Sequence, residues 1–226
     1  MQHGRHTLEG GRIEKENADD FFNNTLLASV MVAGAFLELA VTSPLKIVGI
    51  AGSLRSASYS HIVLKSIARL LPQGTEVDPI NIGLLPHYNE DVEHDALPQT
   101  VASVRARVLA CDAVIIVTPE FNHGLPGVLK NTLDWLSRPV FASCLQGKPV
   151  FFVTLSPGAL GGVRAQYQLR ETLASMLCRL VSLPEIAITQ VGLKVANGEL
   201  KDQATLEFID KTLGQFFGAI APVTMS

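Results

Sequence analysis

From residue 45 onward the chain alternates between short β-branched apolar runs and stretches whose apolar residues recur at helical spacing. Leu45-Lys46-Ile47-Val48-Gly49-Ile50-Ala51 is a largely apolar run that stops at Gly52, the pattern of a strand buried on both faces. Ile62, Val63, Leu64, Ile67, Ala68, Leu70 and Leu71 then follow at helical spacing, and Pro72 and Gly74 end the helix. The same reading predicts strands over residues 77–82, 113–118, 149–155 and 185–190, and helices over 98–110, 126–136, 163–180 and 204–217. Five strands separated by helices predict a doubly wound α/β domain: a five-stranded parallel sheet with helices on both faces. Ligands of such sheets lie beyond the carboxyl ends of the strands, which singles out three loops, 52–60, 119–127 and 156–162.

Residues 1–44 are a different kind of sequence and are expected to be an N-terminal extension to a domain spanning 45–226. Residues 1–24 are polar and lack a sustained apolar period, as expected of a mobile tail. The apolar stretch at 26–37 falls short of the roughly 20 residues that cross a bilayer. Asp19 and Asp20 precede it where an export signal carries positive charge, so it reads as an accessory helix or as an extension. Met31 is a candidate for the true start.

Hydrophobic residues make up 47% of the chain and charged ones 17%, with mean hydropathy +0.28, which describes a packed globular protein. Eighteen Lys and Arg against twenty-one Asp and Glu leave a net charge of −3, without the one-signed surface that nucleic acids or anionic membranes require. Cys111, Cys144 and Cys178 form no C-x-x-C pair and have no histidine pair beside them, so they read as buried thiols in a reducing cytoplasm.

The first loop, Gly52-Ser53-Leu54-Arg55-Ser56-Ala57-Ser58-Tyr59-Ser60, packs hydroxyls around one arginine at a helix start. Unpaired N–H groups, a positive dipole end and a guanidinium suit a phosphate monoester, while Ser58 or Ser60 equally suits the role of N-cap. G-x-G-x-x-G and G-K-[ST] are both absent, which weighs against dinucleotide and Walker-type sites. The second loop, Thr118-Pro119-Glu120-Phe121-Asn122-His123-Gly124-Leu125-Pro126-Gly127, follows a tight path along which a planar heterocycle can lie against main-chain N–H groups. Phe121 faces either that ring or the core, and His123 reads as a residue of the pocket rim because G-x-S-x-G is absent. The third loop, with Ser156, Gly158, Gly161 and Gly162, again pairs a hydroxyl with glycines at a strand end, as an ordinary strand-to-helix turn also does.

Gly52-Ser53-Leu54-Arg55 with Ser58, then Leu85-Pro86-His87-Tyr88-Asn89-Glu90-Asp91, then residues 118–131 together resemble the flavodoxin-like NAD(P)H-dependent FMN reductases, of which the bacterial quinone and chromate reductases are the most similar. The resemblance runs from about residue 46 to residue 217. It implies that Ser53, Arg55, Ser58 and Ser60 hold the FMN phosphate, that Pro119, Glu120, Phe121, Asn122, His123 and Gly124 border the isoalloxazine ring, and that Ser156 and Gly158 close its other side. Two departures stand out: the family usually carries Asn at the position of Ser60 and Tyr at that of Phe121. The resemblance also implies a homodimer or homotetramer in which Tyr88 to Asp91 and the Arg138 region approach a neighbouring subunit's flavin, although Asn89-Glu90-Asp91 also reads as a solvated acidic loop. The activity it implies is hydride transfer from NADPH or NADH to FMN and then to a small-molecule acceptor such as a quinone, in ping-pong order, with the chemistry on FMN and no metal. The competing readings are a flavodoxin-type electron carrier, against which the near balance of charge argues, a reductase of free FMN, and a flavin-free interaction protein.

Overall fold

The computed structural model describes residues 45–221; the expectations for the polar tail, the apolar stretch at 26–37 and a start at Met31 lie outside them. Strands β1 (Lys46–Ala51), β2 (Glu76–Ile80), β3 (Ala113–Pro119), β4 (Val150–Leu155) and β5 (Ala187–Ile188) form one sheet in the order β2-β1-β3-β4-β5. Every pairing in it is parallel. That is the flavodoxin-like order, whose direction switches between β1 and β3. Connecting them are helices α1 (Tyr59–Ala68), α2 (Glu90–Asp95), α3 (Gln99–Ala110), α4 (Gly127–Leu136), α5 (Val163–Ser175), α6 (Val191–Lys194) and α7 (Gln203–Ile220).

The two faces of the sheet are divided by the period of the strands. Val48 and Ile50 of β1 and Val114 and Ile116 of β3 pack with α3, α4 and α5, around the fully buried Trp135. Ile47 and Ala51, with Ala113, Ile115 and Val117, face α1 and α7, where Phe151, Phe216 and Phe217 meet edge to face. Central strands buried on both faces are therefore continuous apolar runs, as the sequence indicated. At one edge, β2 carries Glu76, Asp78 and Pro79, residues that an edge strand tolerates and that discourage further pairing.

Several segments depart from the sequence-based expectation, among them the short helix α2 where the sequence suggests an acidic loop. The helix expected to reach residue 180 ends at Ser175, because Leu177 turns left-handed with φ +58. Cys178 N–H donates to the Leu173 carbonyl at 3.1 Å and Leu177 N–H to the Ala174 carbonyl at 3.0 Å, a Schellman cap built without its usual glycine. Arg179 then runs alongside the start of β4, bridging Pro149. The strand expected over 185–190 is reduced to Ala187–Ile188, since Gln190 takes a left-handed conformation and starts α6. A hairpin of β6 (Val195–Ala196) and β7 (Glu199–Leu200), absent from the expectation, turns on Asn197-Gly198, both at positive φ.

Candidate active site

At the carboxyl end of β1, Gly52 passes so close to β3 that a Cβ there would lie 2.3 Å from Thr118 Oγ1, while its N–H donates to the Val117 carbonyl. Only a glycine fits this approach, and it brings the first loop against β3 at the switch point. Ser58 is the N-cap of α1, its Oγ accepting from the His61 N–H at 3.4 Å. Ser53 Oγ accepts from the Arg55 N–H, and the His61 ring bonds the Ser53 carbonyl at 2.9 Å, fixing the loop. Arg55 is exposed, with its guanidinium 5.9 Å from the Tyr59 ring centroid. Ser60, on the first turn of α1, is 1% exposed, and its Oγ has no hydrogen-bond partner. Buried hydroxyls are nearly always paired; those of Thr75, Ser143 and Thr154 also lack a partner, but among these hydroxyls Ser60 alone stands on the first turn of α1, where its hydroxyl can donate to a ligand.

The loop after β3 closes on itself: Phe121 and Gly124 exchange N–H···O bonds at 3.0 Å around Asn122 and His123, both at positive φ. Positive φ at both central residues is the signature of a type I′ turn. The strands on either side are single residues, so the turn stands up as a small rigid tip with Phe121 58% exposed upon it. Of the two readings for Phe121, facing the core is thereby excluded. Asn122 and His123 are exposed, and Pro119 is half-buried at the strand end.

Helix α5 is bound to this tip. Its N-cap is Gly162, at φ +83, where a Cβ would meet Thr154 and the Leu155 carbonyl at 3.2 Å, so no side chain of its own can cap the helix. Glu120 supplies the missing acceptor: Oε2 takes hydrogen bonds from the N–H groups of Arg164 at 2.9 Å and Ala165 at 3.2 Å. A carboxylate at the positive end of a helix is favourable on both counts. Glu120 thus shapes the site through α5. The Arg164 guanidinium reaches back to His123 Nδ1 at 2.8 Å, and Gln168 Oε1 accepts from the Leu125 N–H at 2.7 Å. Neither Arg164 nor Gln168 was singled out from the sequence, where the one cue was their spacing of four on the first turns of a helix.

In the third loop Ser156 Oγ accepts from the Gly158 N–H at 3.0 Å, and the backbone of Gly158 and Ser156 bonds Gln190 and Val191 at the start of α6. Both positions lie at the carboxyl end of β4 with Gly158 exposed, on the same side of the sheet as the other two loops. Elsewhere, Tyr88 is held by its N–H to Asn131 Oδ1 at 2.7 Å and stacks edge-on to Trp135. The Arg138 guanidinium lies over the Tyr88 ring, 5.3 Å from its centroid. Asn89 caps α2 through the Asp91 N–H, so Glu90 and Asp91 form the first turn of a short helix. Among the described residues no cluster of His, Cys, Asp and Glu is suited to a metal ion, and no helix is long and apolar enough to cross a membrane.

Hydroxyls and a guanidinium at a helix start beyond β1, beside a closed turn that exposes an aromatic ring at the end of β3, are suited to an aromatic nucleotide. Relatives of the chain share that chemistry. The family model described as NADPH-dependent FMN reductase matches residues 45–192. An NAD(P)H-dependent FMN reductase of Pseudomonas aeruginosa is 37% identical over 174 residues, covering 76% of this chain and 94% of the relative. A quinone reductase of Escherichia coli K12 is 36% identical over 180 residues, covering 78% and 95%. Among solved structures, the flavoenzyme NAD(P)H:(acceptor) oxidoreductase FerB of Paracoccus denitrificans superposes with TM-score 0.70 at 34% identity, covering 78% of this chain and 97% of that one. On these likenesses the chain belongs to the NADPH-dependent FMN reductase family of oxidoreductases.

Proposed function

We propose that the protein holds FMN across the carboxyl ends of β1, β3 and β4 and uses NADPH or NADH to reduce a quinone or a similar small-molecule acceptor, donor and acceptor taking turns at one open face in ping-pong order. The observation that carries the reading is the buried, unpartnered Ser60 hydroxyl beneath a helix start lined by Ser53, Arg55 and Ser58, at the switch between β1 and β3. A phosphate monoester seated there receives hydrogen bonds from the serine hydroxyls, the first N–H groups of α1 and the Arg55 guanidinium, all favourable for a dianion. The residues present therefore fit FMN, with Ser60 offering one donor hydroxyl where the family usually offers an amide.

Pro119 and the turn of Phe121, Asn122, His123 and Gly124 border the flavin ring in this reading, with Glu120 holding the turn to α5. Ser156 and Gly158 line the opposite side. The chemistry supplied by bound FMN is two-electron redox exchange through its ring, fed by hydride from the nicotinamide. The chain's own part is to bind the phosphate, to present fixed amides along the polar edge of the ring and to keep Phe121 beside the open face, where flat aromatic donors and acceptors stack. We further propose a homodimer or homotetramer whose contact includes the Tyr88 and Arg138 pair. A cytoplasmic setting is supported by three cysteines that form no disulfide.

The test is the visible spectrum of the purified protein supplied with FMN, followed anaerobically through addition of NADPH and then a quinone. Bleaching by NADPH and recovery with quinone are expected. Bound FMN that no nicotinamide nucleotide bleaches would replace this reading with an electron carrier, and failure to bind FMN would remove it.

A further inference from the structure

Two successive turns of α5 grip the tip after β3 from one side. Arg164 bonds His123 Nδ1 at 2.8 Å, and one helical turn on, Gln168 Oε1 bonds the Leu125 N–H at 2.7 Å. Gly124 lies beneath this second contact, where a Cβ would stand 2.7 Å from Gln168 Oε1, so the side chain rests on bare backbone. The turn between them is not one its sequence favours. The second central position of a type I′ turn prefers glycine, yet His123 occupies it at φ +65. A bulky side chain in a left-handed conformation persists where the surroundings hold it, and here Arg164 supplies the hold.

That contact also fixes a protonation state. Guanidinium has donors only, so His123 Nδ1 must present its lone pair and the ring proton sits on Nε2. A protonated imidazole has no acceptor and would set like charge against Arg164. The charged groups within reach of the ring are Arg164 from α5 and, on the preceding strand end, Glu120, whose Oε1 lies 3.8 Å from Nδ1. The rest of the imidazole is open, with the His123 side chain 73% exposed.

We infer that Arg164 and Gln168 are positioning residues that hold the turn 121–124 in the shape required by the flavin ring, Arg164 through the bare Nδ1 of His123 and Gln168 through the Leu125 N–H. The inference rests on the proposed flavin site and adds to it the two side chains that support its turn. Neither side chain touches the reacting atoms. Both act through the turn.

The test is fluorescence titration of FMN into the apo-protein for wild type, Arg164→Leu, Gln168→Leu and Gln168→Glu. Arg164→Leu and Gln168→Leu are each expected to weaken binding by about fivefold near pH 8, the scale of one lost hydrogen bond. Gln168→Glu should bind within about twofold of wild type, because a carboxylate still accepts from the Leu125 N–H. Arg164→Leu that binds as wild type does, or Gln168→Glu as weak as Gln168→Leu, overturns the inference. Nitrogen-15 NMR of the imidazole in the apo-protein reads the tautomer without FMN: a neutral ring with its proton on Nε2 is expected, and a proton on Nδ1 overturns the inference. Wild type that binds no FMN but shows the expected tautomer would sink the flavin reading and leave the Arg164 contact standing.

Discussion

Arg55 and Ser60 lie in the same loop-to-helix junction and differ in what they cost the protein without a ligand. Arg55 is exposed and keeps its hydration, so its charge is available to a phosphate at little expense to stability. Arg55→Ala should lower FMN affinity by about 1.5–3 kcal/mol, the range of a charge-assisted hydrogen bond, with the apo-protein unfolding as wild type does. Fluorescence titration beside a thermal melt reads both. Ser60 is the opposite case, since its buried hydroxyl has no partner until a ligand arrives. Ser60→Ala should leave the apo-protein as stable or slightly more so and weaken FMN binding by about 0.5–1.5 kcal/mol. Unchanged affinity would mean that the phosphate does not reach the first turn of α1. The arginine and the serines were legible in the sequence because a helix start with hydroxyls is a local signal. That Ser58 caps while Ser60 is left unpaired was not, since either spacing satisfies the cap rule.

At the scale of elements, helix ends decide what the apolar period cannot. Met176, Leu177 and Leu180 extend the spacing of α5 and so look helical, but the αL turn at Leu177 and the bridge of Arg179 to Pro149 end it at Ser175. Leu177→Gly should be more stable than Leu177→Ala by about 1 kcal/mol, the reverse of the order inside a helix, because only glycine adopts positive φ freely. Denaturant melts of the pair settle it. The β6–β7 hairpin is a second case. Glu199 bonds Lys201 and, at 2.6 Å, Arg69 at the C-cap of α1, which together hold its carboxyl down to about 2 from an ordinary 4.5. Because the folded value is the lower one, this stabilisation is complete above about pH 4.5 and fades as pH falls toward 2. Glu199→Gln should flatten that part of the melting-temperature profile. An unaltered slope would show that the contacts are too solvated to count. The hairpin's Asn197-Gly198 pair was a readable signal in the sequence, overlooked because its strands have only two residues each.

Across the whole molecule, burial sets the behaviour of groups that the sequence leaves neutral. The sequence placed all three thiols inside; Cys111 and Cys144 are buried, whereas Cys178 is half-buried. Burial raises the Cys111 thiol, pushes Cys144 up to about 11 and pushes Cys178 up to about 12. Thiolate is the reactive form, so an aromatic disulfide reagent should titrate no cysteine rapidly in the native protein and three once it is denatured. Rapid loss of a thiol in native protein would reveal opening of the domain around it. The same cores give the sheet its rigidity, and the loops that carry chemistry are attached where its strands end.

The sequence by itself determined the sheet, its two covered faces and the three loops at its carboxyl ends. Continuous β-branched runs alternating with amphipathic helices leave few arrangements, all with a parallel sheet covered on both faces, and glycine, serine and arginine in a turn are local chemistry. The tertiary structure alone decided which loop residues support others. Glu120 caps a helix that begins 43 residues later, and Gln168 bonds an amide 43 residues earlier, through contacts that exist only after β3 and β4 pair. Hydrogen bonds between distant segments leave no period in the chain, because their geometry is set by the packed sheet that brings the segments together.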